Sequence, residues 1–234
     1  MANIYLQVDY STGAVYQYSK EQKEGFESHT NTKGVESFRR ILKKGLYGTL
    51  QGVSLKDSDF GKEVSVQMKD VNGDINYLNV PLFDAKKNLA SYAESIITVI
   101  QSLKVGTNYR IYPYNIKEEG AKYSKVGVSV FLADIQNETV DKELPLKRLT
   151  YTYMKEGVKV KGNIPAILWE EDFDGSKTMN AKAKNKYLYD ILMANVTSGA
   201  KPQTSTSTPQ KPKTTKSFTP ATNVKKEEYQ DLPF

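Results

Sequence analysis

The chain has 234 residues, of which 38% are hydrophobic and 26% are charged, so it is long enough to bury one sizeable core. It contains no cysteine, which excludes disulfides, thiolate nucleophiles and cysteine-based zinc or iron–sulfur sites. No apolar run approaches the ~20 residues that cross a bilayer, and the start of the chain lacks the basic and apolar segments of a signal peptide, so we expect a cytoplasmic protein.

The net charge of +6 is unevenly distributed. From Thr197 onward, six lysines face three acidic residues, whereas the last eight residues are acidic. A basic balance indicates a nucleic acid partner only weakly by itself, and more strongly together with abundant aromatic side chains. The 16 tyrosines of this chain therefore make nucleic acid the first partner to consider.

Short elements are predicted before residue 46. The segments "NIYLQVDY" and "GAVYQYS" predict a hairpin that turns around Ser11–Gly13. The segment "GVESFRRILKKG" predicts a short helix with Phe38, Ile41 and Leu42 facing inward.

Three strands are predicted next. "LYGTLQGVSLK" reads as a strand that two glycines allow to bend, and "KEVSVQMKD" alternates apolar and polar residues as a half-buried strand does. The pair Asn72-Gly73 predicts a tight turn, after which "DINYLNVPLF" returns with Leu78, Val80 and Leu82 on one face.

A helix and two more strands complete the pattern. Asp84 is the expected helix N-cap, and "AKKNLASYAESIITVIQSLK" has apolar residues at helical spacing until Gly106. "TNYRIYPYNI" and "KYSKVGVSVFL" are predicted strands. Three strands, a helix and two strands is the order of an OB-fold, a five-stranded Greek-key barrel that commonly binds single-stranded nucleic acid. The predicted fold class is therefore mainly β with helices, with a barrel at about 46–132.

The remainder of the body is expected to elaborate this barrel. "GVKVKGNIPAILWEEDF" predicts one or two strands, and "NAKAKNKYLYDILMANV" a helix whose apolar stripe is Tyr187, Leu188, Ile191 and Leu192. Residues 1–196 are then one DNA-binding domain. Residues 197–226, rich in lysine, threonine and proline, have too little apolar surface to offset the entropy of ordering and are expected to be a disordered linker.

Strand alternation assigns a binding face to the barrel. On one predicted strand Arg110, Tyr112 and Tyr114 lie opposite Tyr109 and Ile111. Rings stack on bases without reading sequence, and cations follow the phosphates. The predicted nucleic-acid-binding residues are Tyr77, Arg110, Tyr112, Tyr114, Tyr123, Lys125 and Lys69, with Tyr151, Tyr153 and Trp169 as weaker candidates; Trp169 is expected to be a core residue. Several tyrosines must simply fill strands, which favour them.

The last residues are Asp231-Leu232-Pro233-Phe234, preceded by Glu227 and Glu228. This acidic tip, residues 227–234, resembles the C-terminal tip of bacterial single-stranded DNA-binding proteins. Those tips combine acidic residues with an aliphatic residue, proline and a final phenylalanine after a long linker. The resemblance implies docking on replication and repair enzymes, with Phe234 in an apolar pocket. Tyr229 and Gln230 interrupt the acidic run, the linker is rich in lysine, and the body is longer than that of a bacterial single-strand binder. These departures favour a divergent bacteriophage or mobile-element protein. The implied partner-binding residues are Glu227, Glu228, Asp231, Leu232, Pro233 and Phe234.

Catalysis has little support in the sequence. The single histidine, His29, lies in a polar, loop-like stretch, so neither a Ser–His pair nor a histidine-ligated metal is favoured. The acidic group Glu170, Glu171, Asp172 and Asp174 lacks the spacing of a calcium loop, and no phosphate-binding glycine loop is present. We expect neither enzymatic activity nor a cofactor.

The sequence thus predicts a sequence-independent single-stranded DNA-binding protein that coats DNA in replication or recombination and recruits enzymes through its tip. An annealing recombinase is a variant of the same hypothesis. The alternative is a protein-interaction adaptor, or an RNA-binding barrel, with a tethering tail.

Overall fold

The computed structural model describes residues 2–30, 34–59, 61–155, 157–171 and 175–196, and for 141–145 the backbone alone. The predicted linker, 197–226, and the acidic tip, 227–234, lie outside the described residues. No helix in the described part of the chain is long and apolar enough to cross a bilayer.

Strands dominate the structure. Ten of them form one sheet: β1 (Asn3–Val8), β2 (Val15–Ser19), β3 (Glu27–Thr30), β4 (Glu36–Ile41), β5 (Leu46–Ser58), β6 (Gly61–Lys69), β7 (Ile75–Pro81), β8 (Asn108–Ile116), β9 (Lys125–Asp134) and β10 (Thr139–Pro145). Two small hairpins follow, β11 (Tyr153–Lys155) with β12 (Val158–Val160) and β13 (Leu168–Glu171) with β14 (Lys177–Asn180). The helices are α1 (Ser91–Val99), which continues as a short 3₁₀ turn, and α2 (Lys182–Asn195).

The large sheet is mixed, with the order β10-β9-β8-β5-β6-β7-β1-β2-β4-β3. Its strand pairs are antiparallel except β1 and β7, which run parallel with Tyr5 opposite Tyr77. Within it, β8 returns to lie beside β5, so β8-β5-β6-β7 has the Greek-key order.

Strand β5 pairs with two different strands and bends between the two pairings. Its first residues pair with β8 and its remaining length pairs with β6, with a register shift between Leu50 and Gly52 that marks a bulge at Gln51. Gly48 permits the close crossing, because a Cβ there would lie 2.8 Å from the carbonyl oxygen of Lys69. Of the two glycines expected to let this strand bend, Gly48 lies at the close crossing and Gly52 follows the bulge.

The core lies between the inner face of the sheet and α1. Leu78, Val80 and Val66 from the sheet and Ile96 and Ile97 from α1 are at most 1% exposed. Helix α2 joins this core through Leu188 and Leu192, as its predicted apolar stripe requires.

The sheet curls until the turn between β1 and β2 reaches β8. The side-chain amide of Asn115 on β8 donates to the carbonyl oxygens of Tyr10 and Ser11, at 2.8 and 3.1 Å. Gly13 has a φ of +75°, and a Cβ there would lie 2.6 Å from the backbone nitrogen of Asn115. Side-chain hydrogen bonds and a glycine contact, rather than a strand ladder, thus join these parts of the sheet.

The mainly β fold, the first hairpin, the strands of the 46–134 region and α2 are confirmed, but two predictions were wrong. Residues 36–41, predicted as a helix, form β4, because they pair with β2 on one side and β3 on the other. Asp84 does not cap a helix; its carboxylate accepts hydrogen bonds from the backbone of Lys86 and Asn88 in a turn, and α1 begins only at Ser91.

We predict that Gly13→Ala lowers the free energy of unfolding more than Gly120→Ala does. Both glycines have a φ near +75°, but a Cβ added to Gly120 would meet nothing within 4 Å. The control should lose about 1–2 kcal/mol for the left-handed backbone, and Gly13→Ala a further ~1–3 kcal/mol for the clash with β8. Urea denaturation measures both; equal losses would contradict the contact between the turn and β8.

Candidate nucleic-acid interface

The outer face of the sheet, opposite the core, carries four of the residues predicted to bind nucleic acid. Alternation in β8 buries Tyr109 and Ile111 and turns Arg110 and Tyr112 outward. Lys69 at the end of β6 and Tyr77 on β7 lie on the same outer face, since their neighbours in each strand are buried. Strands β7 and β8 are not adjacent, however, because β5 and β6 lie between them.

Arg110 lies between two tyrosine rings. Its guanidinium carbon is 4.6 Å from the ring centroid of Tyr112 and 5.6 Å from that of Tyr47, which is opposite Arg110 in the β5–β8 register. Its Nε donates a hydrogen bond to the carbonyl oxygen of Lys44 at 2.6 Å. These contacts hold a planar cation against the half-buried ring of Tyr47 and the exposed ring of Tyr112, an arrangement suited to phosphate and base contacts. We call Tyr47, Arg110 and Tyr112 the Arg110 cluster.

The charge of Arg110 is not neutralised by a carboxylate. Nearby Lys44 is the residue that pairs with Glu138, at 2.8 Å. The hydrogen bond from Lys44 to Glu138, together with the charge of Glu138, raises the pKa of the Lys44 ammonium group. Among the described residues, neither Arg110 nor Lys69 forms a salt bridge with a carboxylate.

A second aromatic group lies on β7 and β1. The rings of Tyr5 and Tyr77 stack with centroids 5.2 Å apart and planes 22° apart. The ammonium nitrogen of Lys56 lies 5.5 Å from the Tyr5 centroid. Burial lowers the pKa of Lys56, while the charge of Glu63 opposes that shift. We call Tyr5, Tyr77 and Lys56 the Tyr5 cluster; Tyr5 is its most accessible ring, at 58% exposure.

The surface between the two clusters is polar and internally bonded. Lys69 lies opposite Thr49 in the register, and the Thr49 hydroxyl bonds to Oδ1 of Asn108 at 2.7 Å. Farther along, Gln67 donates to the Ser54 hydroxyl at 3.1 Å. These four side chains bond to one another in pairs, and Lys69 places a charge beside them.

We call the two clusters and Lys69 the outer-face surface. From Tyr112 to Tyr77 it crosses three strand spacings and about six residues along the strands, a path on the order of 25 Å from standard sheet dimensions.

Three predicted residues are placed differently. Tyr114 is half-buried and its hydroxyl lies toward α1: a Cβ on Gly127 would come within 2.7 Å of that hydroxyl and 2.6 Å of the Ser95 Oγ. Tyr123 lies in the loop before β9 rather than in the strand, and is 74% exposed with the Lys122 ammonium 5.3 Å from its ring. Lys125 begins β9 but forms a 2.5 Å ion pair with Glu118.

Two further residues, Trp169 and His29, also lie in places other than those expected from the sequence. Trp169, expected in the core, is 67% exposed on β13. His29, expected in a loop, lies on β3 with its ring 6.1 Å from that of Tyr18.

Trp169 belongs to an exposed apolar surface on the two small hairpins. A cavity of about 430 Å³ there is lined mostly by apolar side chains, among them Trp169, Tyr151, Tyr153, Met154 and Ile167. We call this the hairpin surface. Exposed apolar patches of this kind commonly mark sites of interaction.

A buried ion pair joins the helices beside the hairpin surface. Lys184 on α2 bonds to Glu94 on α1 at 2.7 Å, with both side chains at most 16% exposed. The Tyr151 hydroxyl donates to the other carboxylate oxygen of Glu94 at 2.9 Å. Partial burial and the charge of Glu94 raise the pKa of Tyr151. Through Glu94, this network connects α2 and Tyr151 to α1, and the Tyr151 hydroxyl is held by its hydrogen bond.

Sequence reasoning missed Tyr5, Tyr47 and Lys56. Tyr47 follows from strand alternation once Leu46 is known to be buried, so a signal was present. Tyr5 depends on the parallel pairing of β1 with β7, and nothing in its own segment indicates that partner.

The described residues contain no group of three or more histidine, aspartate or glutamate side chains that could hold a metal ion. The implied partner-binding residues Glu227, Glu228, Asp231, Leu232, Pro233 and Phe234 lie outside the described residues. Comparison with protein families, with curated proteins and with solved structures finds no match to this chain.

We predict that the protein loses stability as the pH rises above about 10, the unfolded pKa of tyrosine. Burial, followed by the charges of Asp9 and Tyr114, raises the pKa of Tyr92 to about 12, and the pKa of Tyr151 is raised as well. Such groups contribute stability that is fully present below their unfolded pKa and is lost as the pH rises through the folded one.

The free energy of unfolding between pH 8 and 11 measures this loss. Tyr151→Phe should make the decline shallower, because one of the raised groups is removed, and Tyr153→Phe on exposed β11 is the control. A decline unchanged by Tyr151→Phe would count against the Glu94 contact as its cause.

Proposed function

We propose that this protein binds single-stranded DNA without sequence preference and coats it during replication or recombination. The observation that carries the proposal is the outer-face surface, where two aromatic clusters with adjacent cations lie on one face of the sheet with Lys69 between them. Stacking on exposed rings together with cations along the backbone is the physical basis of binding to single strands.

The fold supports the same proposal. We interpret β5–β9 with α1 as an OB-fold, since three strands, a helix and two strands occur in that order and β8 returns beside β5. In this interpretation β1, which pairs in parallel with β7, extends the barrel.

The polar groups of the outer face favour binding without sequence readout. Reading a base requires donors and acceptors that are free to meet its edge. Here Thr49 bonds to Asn108, and Gln67 bonds to Ser54. The accessible recognition elements are then rings, which stack on any base, and the cations Arg110 and Lys69.

The tail gives the protein its second proposed role. The acidic segment from Glu227 to Phe234 resembles the docking tip of bacterial single-stranded DNA-binding proteins, and we propose that it recruits replication or recombination enzymes. A bacteriophage-encoded, non-catalytic protein acting in the bacterial cytoplasm is the setting that we infer.

A protein-interaction adaptor is the second candidate function, and the hairpin surface favours it. Trp169 and Met154 are 67% and 65% exposed beside an apolar cavity, which suits a protein partner. Single-strand binding neutralises phosphates, so its affinity falls linearly with salt on logarithmic scales, which a protein partner need not show.

We predict different effects from the two kinds of residue in the Arg110 cluster. Tyr112→Ala should weaken binding to labelled oligo-dT roughly 5- to 150-fold through lost stacking, with the salt dependence unchanged. Arg110→Gln should also reduce the slope of log affinity against log salt by about 0.7, because one phosphate contact is lost.

Fluorescence anisotropy at two or more salt concentrations gives both quantities, with a matched duplex as competitor. Met193→Ala, which truncates an exposed apolar side chain on α2 outside the large sheet, is the control. Affinity unchanged in both variants would remove the Arg110 cluster from the interface, and equal affinity of the wild type for the duplex would favour the adaptor.

We predict that removing residues 227–234 leaves or raises the affinity for oligo-dT, because three acidic side chains that repel DNA are lost. The same deletion, and Phe234→Ala alone, should abolish the retention of a replication polymerase or helicase on coated DNA. A marked fall in DNA affinity after the deletion would contradict a docking role for the tip.

A further inference from the structure

A third aromatic and cationic group lies on β2 and β4, beyond the Tyr5 cluster. Tyr16 lies opposite Gln7 in the β1–β2 register. Gln7 is two residues after Tyr5 on β1, so Tyr16 and Tyr5 lie on the same face of the sheet. Tyr18 follows on that face and lies opposite Arg39 of β4. The Arg39 guanidinium carbon is 4.5 Å from the Tyr16 ring centroid. We call Tyr16, Tyr18 and Arg39 the Tyr18 cluster.

The members of this cluster differ in what they offer a ligand. Tyr16 is 6% exposed and therefore supports Arg39 from beneath, whereas Tyr18 is 39% exposed and offers its ring to solvent. Arg39 forms no salt bridge with a carboxylate among the described residues. The cluster thus repeats the composition of the Arg110 cluster, with an arginine held against tyrosine rings.

The Tyr18 cluster is continuous with the Tyr5 cluster. The pairing of β1 with β2 runs from Val8 opposite Val15 to Leu6 opposite Gln17, and the next step of the same register places Tyr5 beside Tyr18. Adjacent strands are about 4.8 Å apart. An exposed ring on β2 therefore follows directly after the stacked pair of β1 and β7.

We propose that the bound single strand continues past Tyr5 onto the Tyr18 cluster, so that the binding surface crosses seven neighbouring strands, β8-β5-β6-β7-β1-β2-β4. This inference rests on the proposed function and places one end of the binding surface at the Tyr18 cluster. A short oligonucleotide occupies only part of the surface, whereas a longer one reaches Tyr18 and gains its stacking.

The consequence is a dependence on oligonucleotide length that is specific to one residue. Oligo-dT of about 4 to 16 nucleotides covers the range of site sizes for one OB-fold. Tyr18→Ala should weaken the longer oligonucleotides roughly 10-fold, which lies within the effect of losing one stacked base, and leave the shortest that binds unchanged. Tyr112→Ala should weaken the longer ones as well. Met193→Ala, which truncates an exposed apolar side chain on α2, is the control and should change the affinity at no length.

Anisotropy titrations of the full chain and these variants measure this dependence, with thermal unfolding of each variant as a check on folding. Photo-cross-linking of oligo-dT that carries 5-bromouracil is a second readout that needs no variant. A cross-link to the peptide containing Val15–Ser19 with long oligonucleotides only is the expected result.

Equal affinity of Tyr18→Ala and the wild type at every length, or no cross-link to β2, would overturn the inference while leaving the proposed function in place. A loss of affinity in Tyr18→Ala at all lengths, including the shortest, would contradict the placement of the Tyr18 cluster at the end that only longer oligonucleotides reach. Failure of the wild type to bind any single strand would overturn both proposals.

Discussion

The double pairing of β5 is the constraint on which the rest of the structure depends. One strand must lie beside β8 at its start and beside β6 along the rest of its length, and it does so by bending at Gly48 and at the bulge around Gln51. A side chain at position 48 would place its Cβ 2.8 Å from the carbonyl oxygen of Lys69. Tyr47 and Arg110 share the outer face with Lys69 through Thr49, which lies opposite both Asn108 and Lys69. The bulge then shifts the alternation, so that Lys56 lies on that face as well.

The two faces of this sheet have separate physical roles. The inner face packs against α1 with aliphatic side chains that are almost completely buried, and burial of this area is the main source of stability. The outer face carries rings and cations that contribute little to the core, so they are available to a ligand. Because alternate residues of one strand face opposite sides, core and candidate site are built from the same segments.

The cations of the outer face differ in how available they are. Lys44 and Lys125 are engaged by Glu138 and Glu118, so their fields are largely compensated locally. Arg110 instead lies against the rings of Tyr47 and Tyr112, which hold its guanidinium without neutralising it, and Arg39 lies against the ring of Tyr16. The proposed contacts with phosphates therefore rest on a few positioned arginines more than on the overall charge of the chain.

Much of the fold and part of the candidate site were determined by the sequence alone. Period-two alternation assigned Leu78 and Val80 to the core and Arg110 and Tyr112 to the outer face, because side-chain direction in a strand is a local property. The apolar stripe of α2 followed in the same way from helical spacing.

Only the tertiary structure decided which strands became neighbours. The pairing of β1 with β7 stacks Tyr5 on Tyr77, and the pairing of residues 36–41 with two strands overrode their helical pattern. It also left Trp169 exposed and turned Tyr114 toward α1. Alternation states which way a side chain points, but contacts between residues more than 70 positions apart, such as Tyr5 and Tyr77, depend on how the whole sheet curls around its core.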